Sequence, residues 1–226
     1  LPLLINGLEK LEYRGYDSAG IAVIDNEEEN LICEKSEGKL KNLTHKLSKK
    51  DFSGTVGIGH TRWATHGRPS EENAHPHRSG DIVVVHNGII ENHLELKEEL
   101  TGRGRVFQSE TDTEIFSHLI DEARTDNPEW PLDEAVRYSL RNIRGSYAIA
   151  VLDRRVPDTL VTAKNASPMV LGFGEGEFFC ASDIPALEGF TRTFLPLRDH
   201  ELAILTPLGI ELYDYDGNRQ QRAPSL

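Results

Sequence analysis

The order of the predicted elements constrains the fold of this chain more than any other feature. Strand-like runs lead, helical patterns follow, and short strands separated by glycine and proline fill the chain from residue 146 onward. Strand and helix do not alternate, which argues against parallel βαβ units. The order indicates a layered α/β architecture with largely antiparallel sheets. Neither an internal repeat nor a long linker interrupts the pattern, so one domain is favoured over two.

Hydrophobic spacing and turn residues locate the individual elements. Amphipathic patterns predict helices at residues 1–11, 40–47, 91–100, from 109 onward, and at 131–141. β-rich apolar runs predict strands at 21–24, 31–34, 55–60, 82–86, 147–152, 159–163, 169–173, 178–181, 193–196, 202–206 and 210–213. The acidic stretch 25–30 predicts an exposed hairpin turn, and Thr111 with Glu114 predicts a capping box. The polar residues 218–226 predict a linker after a domain spanning 1–217.

Charge and cysteine content restrict the class of function. The net charge of −12 argues against non-specific affinity for nucleic acid or for anionic membranes. The longest apolar runs, such as 82–85, are too short to cross a bilayer. The two cysteines, Cys33 and Cys180, form no C-x-x-C motif, which favours a reduced, cytoplasmic setting. Both occupy short predicted strands, so neither is predicted to be a nucleophile.

Polar residues follow the strand at 55–60, where Arg62 and Trp63 stand between two histidines. A guanidinium at a strand end can hold a carboxylate through two parallel hydrogen bonds. The alternative is that Arg62 pairs with one of the chain's many acidic residues, and this segment alone does not decide between them. Nearby, His75 and His77 could form half of a metal site. The residues around them do not follow familiar ligand spacings, so we predict no metal.

A second polar pair, Asn87-Gly88, directly follows an apolar strand. One interpretation is a tight hairpin turn, for which Asn-Gly is the strongest short signal. The other is an oxyanion hole, in which the Asn87 side-chain amide and the Gly88 backbone N–H point at one developing negative oxygen. Residues 89–92 resemble the lead into a helix more than a returning strand, which favours the oxyanion hole.

A third candidate is Asp112, in the acidic segment 109–114 at a predicted helix start. Carboxylates in a first helical turn usually only complement the helix dipole. An aspartate held there can also receive the ammonium group of a ligand. Arg62 for a carboxylate and Asp112 for an ammonium group would together define a pocket for an amino acid.

Taken together, segments 11–20, 60–67, 73–77, 84–92 and 109–113 resemble the glutaminase domain of glutamine–fructose-6-phosphate aminotransferase, the glucosamine-6-phosphate synthase family. Segments 157–160, 167–168 and 181–183 also fit, so the resemblance covers almost the whole chain. It implies an α+β fold, a four-layer αββα sandwich of the N-terminal-nucleophile hydrolase type with antiparallel sheets. It implies no cofactor.

The resemblance also assigns roles to residues. Arg62 would hold the α-carboxylate of L-glutamine and Asp112 its α-ammonium group, while Asn87 and Gly88 would form the oxyanion hole. Arg14 would lie near the nucleophile. The remaining substrate-binding residues would line the site: Trp63, Thr65, His66 and His86. In this family the nucleophile is an N-terminal cysteine whose own α-amine is the general base.

That cysteine is not in the chain, so we expect the chain as given to bind glutamine without hydrolysing it. The resemblance further implies a sugar-isomerase domain in the same polypeptide, which uses the ammonia to convert fructose 6-phosphate to glucosamine 6-phosphate. The full-length enzyme is expected to be a homo-oligomer. Two alternatives are another class II amidotransferase, such as amidophosphoribosyltransferase, and a catalytically silent glutamine-binding module.

Overall fold

The structure is a computed structural model that describes residues 1–15, 17–25, 30–50, 52–63 and 67–225. Five α-helices lie in the described residues: α1 Pro2–Leu11, α2 Leu40–Leu47, α3 His93–Gly102, α4 Glu114–Asp126 and α5 Leu132–Leu140. The strands of the first half are β1 Ser18–Asp25, β2 Asn30–Glu37, β3 Val56–Arg62, β4 His77–Ser79 and β5 Ile82–Ile90. Those of the second half are β6 Gly145–Asp153, β7 Leu160–Asn165, β8 Val170–Phe173, β9 Phe178–Ala181, β10 Phe194–Pro196, β11 Glu201–Thr206, β12 Gly209–Asp214 and β13 Arg219–Gln220.

These strands form three antiparallel sheets. The orders are β2-β1-β3, β10-β8-β9 and β13-β12-β11-β7-β6-β5-β4. β1 and β2 pair in register from Ser18 opposite Glu37 to Asp25 opposite Asn30, which confirms the predicted hairpin. The acidic residues 26–29 of its turn lie outside the described residues.

Three apolar cores separate four layers, since each strand places alternate side chains on opposite faces. Ile21 and Val23 of β1 face α1 and α2, whereas Ala22 and Ile24 face the large sheet. On the other side of that sheet, a third core joins β5, β6 and β7 to α3, α4 and α5, with Phe116 fully buried. Burial of one such side chain stabilises the fold by about 1.5–3 kcal/mol. The fold is therefore the predicted α+β, αββα sandwich with antiparallel sheets.

Two glycines of β3 let α1 approach the sheet closely. A Cβ atom on Gly57 would lie 2.9 Å from Leu4, and one on Gly59 would lie 3.0 Å from Leu8. Leu4 and Leu8 lie on the apolar face of α1, which packs against β3, as the amphipathic spacing at residues 1–11 predicts. This contact brings the first helix over the end of β3, where the candidate site begins.

Several boundaries differ from the sequence predictions. β5 continues through Asn87-Gly88 to Ile90, so the hairpin-turn interpretation of that pair is wrong. α4 begins at Glu114, and the Thr111 hydroxyl hydrogen-bonds to Ser109 and His77, so the predicted capping box is not formed. The short strand β4 was not predicted, because three residues carry too little pattern.

The segment predicted to be a linker packs on the domain. β13 pairs with β12, and Ser225 forms an isolated bridge with Phe194. Arg222 donates hydrogen bonds to Glu201 and to the carbonyl oxygen of Pro196. The domain boundary at residue 217 stays a prediction.

Candidate functional site

The predicted site residues that lie within the described ranges line one cavity of about 440 Å³ between the two smaller sheets and the large sheet. Its polar part is formed where β3 ends, where β5 ends and where the loop before α4 begins. Its lining includes Arg62, Asn87, Gly88 and Asp112. Its apolar part is lined by α1, β9 and the inner face of the large sheet. This volume lies within the range of small-molecule sites, roughly 300–1,000 Å³.

Arg62, the last residue of β3, is 4% exposed and points toward the large sheet. Its guanidinium lies 3.6 Å from the carboxylate of Asp17 and donates to the carbonyl oxygens of Gly67 and Arg68. Burial lowers the pKa of Arg62, while the carboxylates of Asp17 and Asp112 oppose that shift. The group therefore stays a cation, fixed by contacts that leave it beside the cavity.

Asp112 is buried in the loop immediately before α4. Its Oδ2 atom accepts a hydrogen bond of 2.8 Å from the backbone N–H of Ile90, the last residue of β5. This bond ties the loop to the strand that carries Asn87 and Gly88. The carboxylate and the Arg62 guanidinium thus line the same cavity with opposite charges, as the amino-acid pocket requires.

Asn87 and Gly88 lie within β5, opposite Ala148 and Tyr147 of β6. Gly88 has φ +134°, and a Cβ atom there would lie 2.1 Å from the carbonyl oxygen of Ser146. Alternation along the strand puts the N–H of Gly88 on the same edge as those of its even-numbered neighbours. Those neighbours donate to His75 Nδ1 and to Asp112 Oδ2. The Gly88 N–H is therefore directed away from β6, toward the cavity residues.

The other predicted residues have different environments. Trp63 is 67% exposed at the rim of the cavity. Arg14 donates to the Ser182 hydroxyl at 2.6 Å and lies 3.9 Å from the Asp183 carboxylate, which joins the turn after α1 to the residues that follow β9. Thr65 and His66 lie outside the described residues.

His86 lines the cavity, but its ring contacts the helical layer. Its Nδ1 atom lies 2.9 Å from the Thr113 hydroxyl, and the ring packs edge-on against Phe116. Alternation explains this orientation, because His86 and Asn87 leave β5 on opposite faces. The direct contact with substrate assigned to His86 therefore stays a prediction.

Sequence reasoning did not assign His60, whose Nε2 atom lies 2.8 Å from Asn87 Oδ1. Strand period could have identified it, since His60 stands two residues before Arg62 and shares its face. His60 also stacks on His75, with ring centroids 4.2 Å apart. Burial lowers the pKa of His60 to about 4 and that of His75 well below its ordinary value, so both rings are neutral near pH 7.

Cys180 of β9 lines the cavity, whereas Cys33 lies in β2. Burial raises the pKa of the Cys180 thiol to about 12 and also raises that of Cys33. Thiolate, the reactive form, is therefore scarce at both positions near neutral pH. Within the described ranges, no group of three His, Cys, Asp or Glu side chains is arranged to hold a metal ion.

The fold is that of a glutamine amidotransferase domain, and comparison with known proteins agrees. Residues 60–189 match the family model described as the glutamine amidotransferase domain, and the chain belongs to that family. Over 225 residues it is 52% identical to the isomerizing glutamine–fructose-6-phosphate aminotransferase of Thermosynechococcus vestitus, covering 98% of the chain and 36% of the relative. The corresponding enzyme of Aquifex aeolicus is 50% identical over 219 residues, which are 96% of the chain and 36% of that relative.

Among solved structures, glutamine phosphoribosylpyrophosphate amidotransferase from B. subtilis, complexed with ADP and GMP, superposes with a TM-score of 0.81 at 26% identity. The superposition covers 97% of this chain and 48% of that chain. The chain spans about a third of the length of the curated relatives it matches. No helix in the described part of the chain is both long and apolar enough to span a membrane.

Proposed function

We propose that this chain is the glutaminase domain of an isomerizing glutamine–fructose-6-phosphate aminotransferase, and that the full-length protein hydrolyses L-glutamine to glutamate and ammonia at this site with a cysteine nucleophile other than Cys33 and Cys180. One observation carries the proposal: a buried arginine, a buried aspartate and an Asn-Gly pair on a strand line the same cavity. The first two recognise the charged groups shared by all amino acids. The third stabilises a tetrahedral intermediate at a side-chain amide.

Glutamine binds with its α-carboxylate at Arg62 and its α-ammonium group at Asp112. The Arg62 guanidinium is planar and already held by Asp17, so little rotamer freedom is lost when a carboxylate arrives. Asp112 uses Oδ2 for the Ile90 amide, and its Oδ1 has no hydrogen-bond partner among the described residues, so Oδ1 accepts from the ammonium group. The substrate side chain then extends toward Asn87 and Gly88.

The reaction is an acyl transfer. A cysteine thiolate attacks the carboxamide carbon of glutamine, and the carbonyl oxygen becomes an oxyanion that accepts hydrogen bonds from Asn87 Nδ2 and the Gly88 N–H. The C–N bond breaks, and the general base, which took the thiol proton when the thiolate formed, gives that proton to the departing ammonia. Water then cleaves the thioester, which releases glutamate and restores the thiol. The raised thiol pKa values of Cys33 and Cys180 support a nucleophile other than these two.

Two strand edges that are unpaired among the described residues fit an extended segment that carries the nucleophile. β3 and β9 are both edge strands, and both line the cavity. An extended segment between them would gain main-chain hydrogen bonds from both edges. A cysteine at the start of that segment would lie beside Arg14, because Arg14 contacts Ser182 directly after β9.

The wider assignment concerns the longer protein. The ammonia would pass to a sugar-isomerase domain of the same polypeptide and convert fructose 6-phosphate to glucosamine 6-phosphate, in a cytoplasmic homo-oligomer. The chain is 52% identical to the aminotransferase but 26% identical to the phosphoribosylpyrophosphate amidotransferase. The higher identity favours an aminotransferase over an amidophosphoribosyltransferase. The Asn87-Gly88 pair in the same cavity favours an active site over a silent binding module, because binding alone needs no oxyanion hole.

The test is Asp112→Asn in the full-length protein that contains this chain. Asparagine keeps an oxygen to accept the Ile90 N–H and removes only the negative charge. We expect the KM for glutamine to rise by roughly 10- to 100-fold, the loss of one charge-assisted contact of about 1.5–3 kcal/mol. Kinetics with glutamine, with ammonia release as the readout, measure this directly.

The matched control is Asp133→Asn, which removes a carboxylate paired with Arg137 on α5, in the helical layer. It should leave the KM unchanged. An Asp112→Asn enzyme with wild-type KM would remove the assignment of the ammonium site. Absence of ammonia release from the wild-type full-length protein would overturn the proposed activity itself.

A further inference from the structure

His60 and Asn87 meet across the interface between the β3 sheet and the large sheet. β3 buries Ile58, His60 and Arg62 on one face, so His60 faces the same way as the arginine of the site. From the other sheet, Asn87 Oδ1 lies 2.8 Å from His60 Nε2. Two groups that line the cavity are thus joined by one hydrogen bond.

The environment of His60 determines which ring nitrogen carries the proton. The ring is buried, and it stacks on His75 with an angle of 20° between the planes. Its Nδ1 atom is buried and has no hydrogen-bond partner among the described residues. Burial lowers the pKa of His60 to about 4, so the ring is neutral near pH 7 and has a single N–H.

A proton on Nδ1 would leave a buried N–H without an acceptor among the described residues, which is unfavourable. A proton on Nε2 is donated to Asn87 Oδ1 and leaves at Nδ1 a lone pair instead of an unpaired N–H. The Nε2–H form is therefore favoured. Because a carboxamide is planar, a donor at Oδ1 turns the Nδ2 amino group of Asn87 to the opposite side.

We propose that His60 is a positioning residue for glutamine hydrolysis: its Nε2–H fixes the flip state of the Asn87 carboxamide, so that the Asn87 amino group faces the reacting carbonyl oxygen. The inference rests on the proposed function. His60 transfers no proton in this role and does not touch the substrate. It acts on the transition state through Asn87, because only the oxyanion needs the oriented donor.

The primary test is His60→Leu in the full-length protein. We expect kcat to fall by roughly 10- to 100-fold, somewhat less than the 10²- to 10³-fold typical of deleting an oxyanion donor. The KM for glutamine and the Kd for the product glutamate should stay within about twofold, since Arg62 and Asp112 are untouched. His60→Gln, which restores a side-chain N–H donor, should recover part of the lost kcat.

A double-mutant cycle shows whether His60 acts through Asn87. Asn87→Ala removes the oriented donor, so adding His60→Leu to it should cost no further kcat. If His60→Leu lowered kcat by the same factor in the Asn87→Ala background as in the wild type, the inference would be overturned. Wild-type kcat in the His60→Leu single variant would overturn it too. A His60→Leu protein that loses glutamate affinity in proportion to kcat would show a structural role only, which also overturns it.

The two proposals fail in different ways. If the wild-type full-length protein releases no ammonia from glutamine, the proposed function fails. If it does, and Asp112→Asn raises the KM while His60→Leu leaves kcat unchanged, only the positioning role of His60 is wrong. Thermal unfolding of each variant separates loss of fold from loss of orientation, and His60→Gln provides the second variant if His60→Leu does not fold.

Discussion

Gly88 lies so close to Ser146 of the neighbouring strand that a Cβ atom on the glycine would be 2.1 Å from the Ser146 carbonyl oxygen. Its φ of +134° is also one that L side chains rarely adopt. Gly88→Ala must therefore displace the backbone where we place an oxyanion donor. We expect kcat for glutamine hydrolysis to fall by roughly 100-fold or more. Steady-state kinetics of the full-length protein measure the loss.

Gly102→Ala is the matched control for this substitution. Gly102 ends α3, and a Cβ atom added there meets nothing within 4 Å. That variant should keep wild-type kcat and should gain a few tenths of a kcal/mol in stability. If Gly88→Ala also kept wild-type kcat, the oxyanion assignment of the Gly88 amide would be wrong.

Arg62→Lys tests the geometry of the carboxylate site rather than its charge. Lysine keeps the positive charge but loses the planar pair of donors that a carboxylate accepts. We expect the KM for glutamine to rise by roughly tenfold or more, about 1.4 kcal/mol, with a smaller change in kcat. Arg144→Lys is the control, because Arg144 forms an exposed pair with Glu95. Equal KM values in the two variants would contradict the proposed role of Arg62.

The buried histidines predict an acid-sensitive fold. Burial lowers the pKa of His60 to about 4 and that of His77 to about 3, from an ordinary value of 6.5; charges facing His77 come from Lys35 and Glu114. Below pH 6.5 the unfolded chain takes up these protons and the folded chain does not, so stability falls as the pH falls toward 4. Each histidine should cost about 2 kcal/mol between pH 6.5 and pH 5.

Urea unfolding at pH 7 and at pH 5 checks this expectation. His60→Gln removes one of the titrating groups, so the number of protons taken up on unfolding at low pH should fall by about one. The free energy of unfolding should then depend less steeply on pH. His45→Gln replaces a histidine on the exposed face of α2 instead, and the pH dependence caused by the buried histidines should remain. Equal stability of the wild type at the two pH values would contradict the prediction.

The sequence predicted the residues of the site more completely than it predicted the contacts that hold them in place. Arg62, Asn87 and Asp112 each stand where a strand or helix begins or ends, so local pattern was enough to select them. The orientation of His86 was also within reach, because Val85 and Asn87 share one face of β5 and His86 has the other. The role of His60 needed the contact with Asn87, which depends on how two sheets pack.

Other features required tertiary information. The ion pair between Arg62 and Asp17 joins the last residue of β3 to the residue before β1, and the antiparallel pairing of Ser18 with Arg62 brings them together. The division of the strands into three sheets likewise follows from long-range pairing, since a strand pattern does not name its partner. The tail residue Ser225 was assigned to a linker because its neighbours are polar, although its backbone pairs with Phe194.

Replacement of both cysteines tests whether the chain's own thiols take part in catalysis. The pKa of Cys180 is raised to about 12, and that of Cys33 is also raised, in both cases because burial disfavours the thiolate. Such thiols are poor nucleophiles near neutral pH. We therefore expect the full-length Cys33→Ala, Cys180→Ala double variant to keep kcat and KM within about threefold, with a stability loss of about 1–2 kcal/mol. Ammonia release and thermal unfolding provide the two measurements. Loss of hydrolysis in a folded double variant would transfer the nucleophile to Cys180, which already lines the cavity.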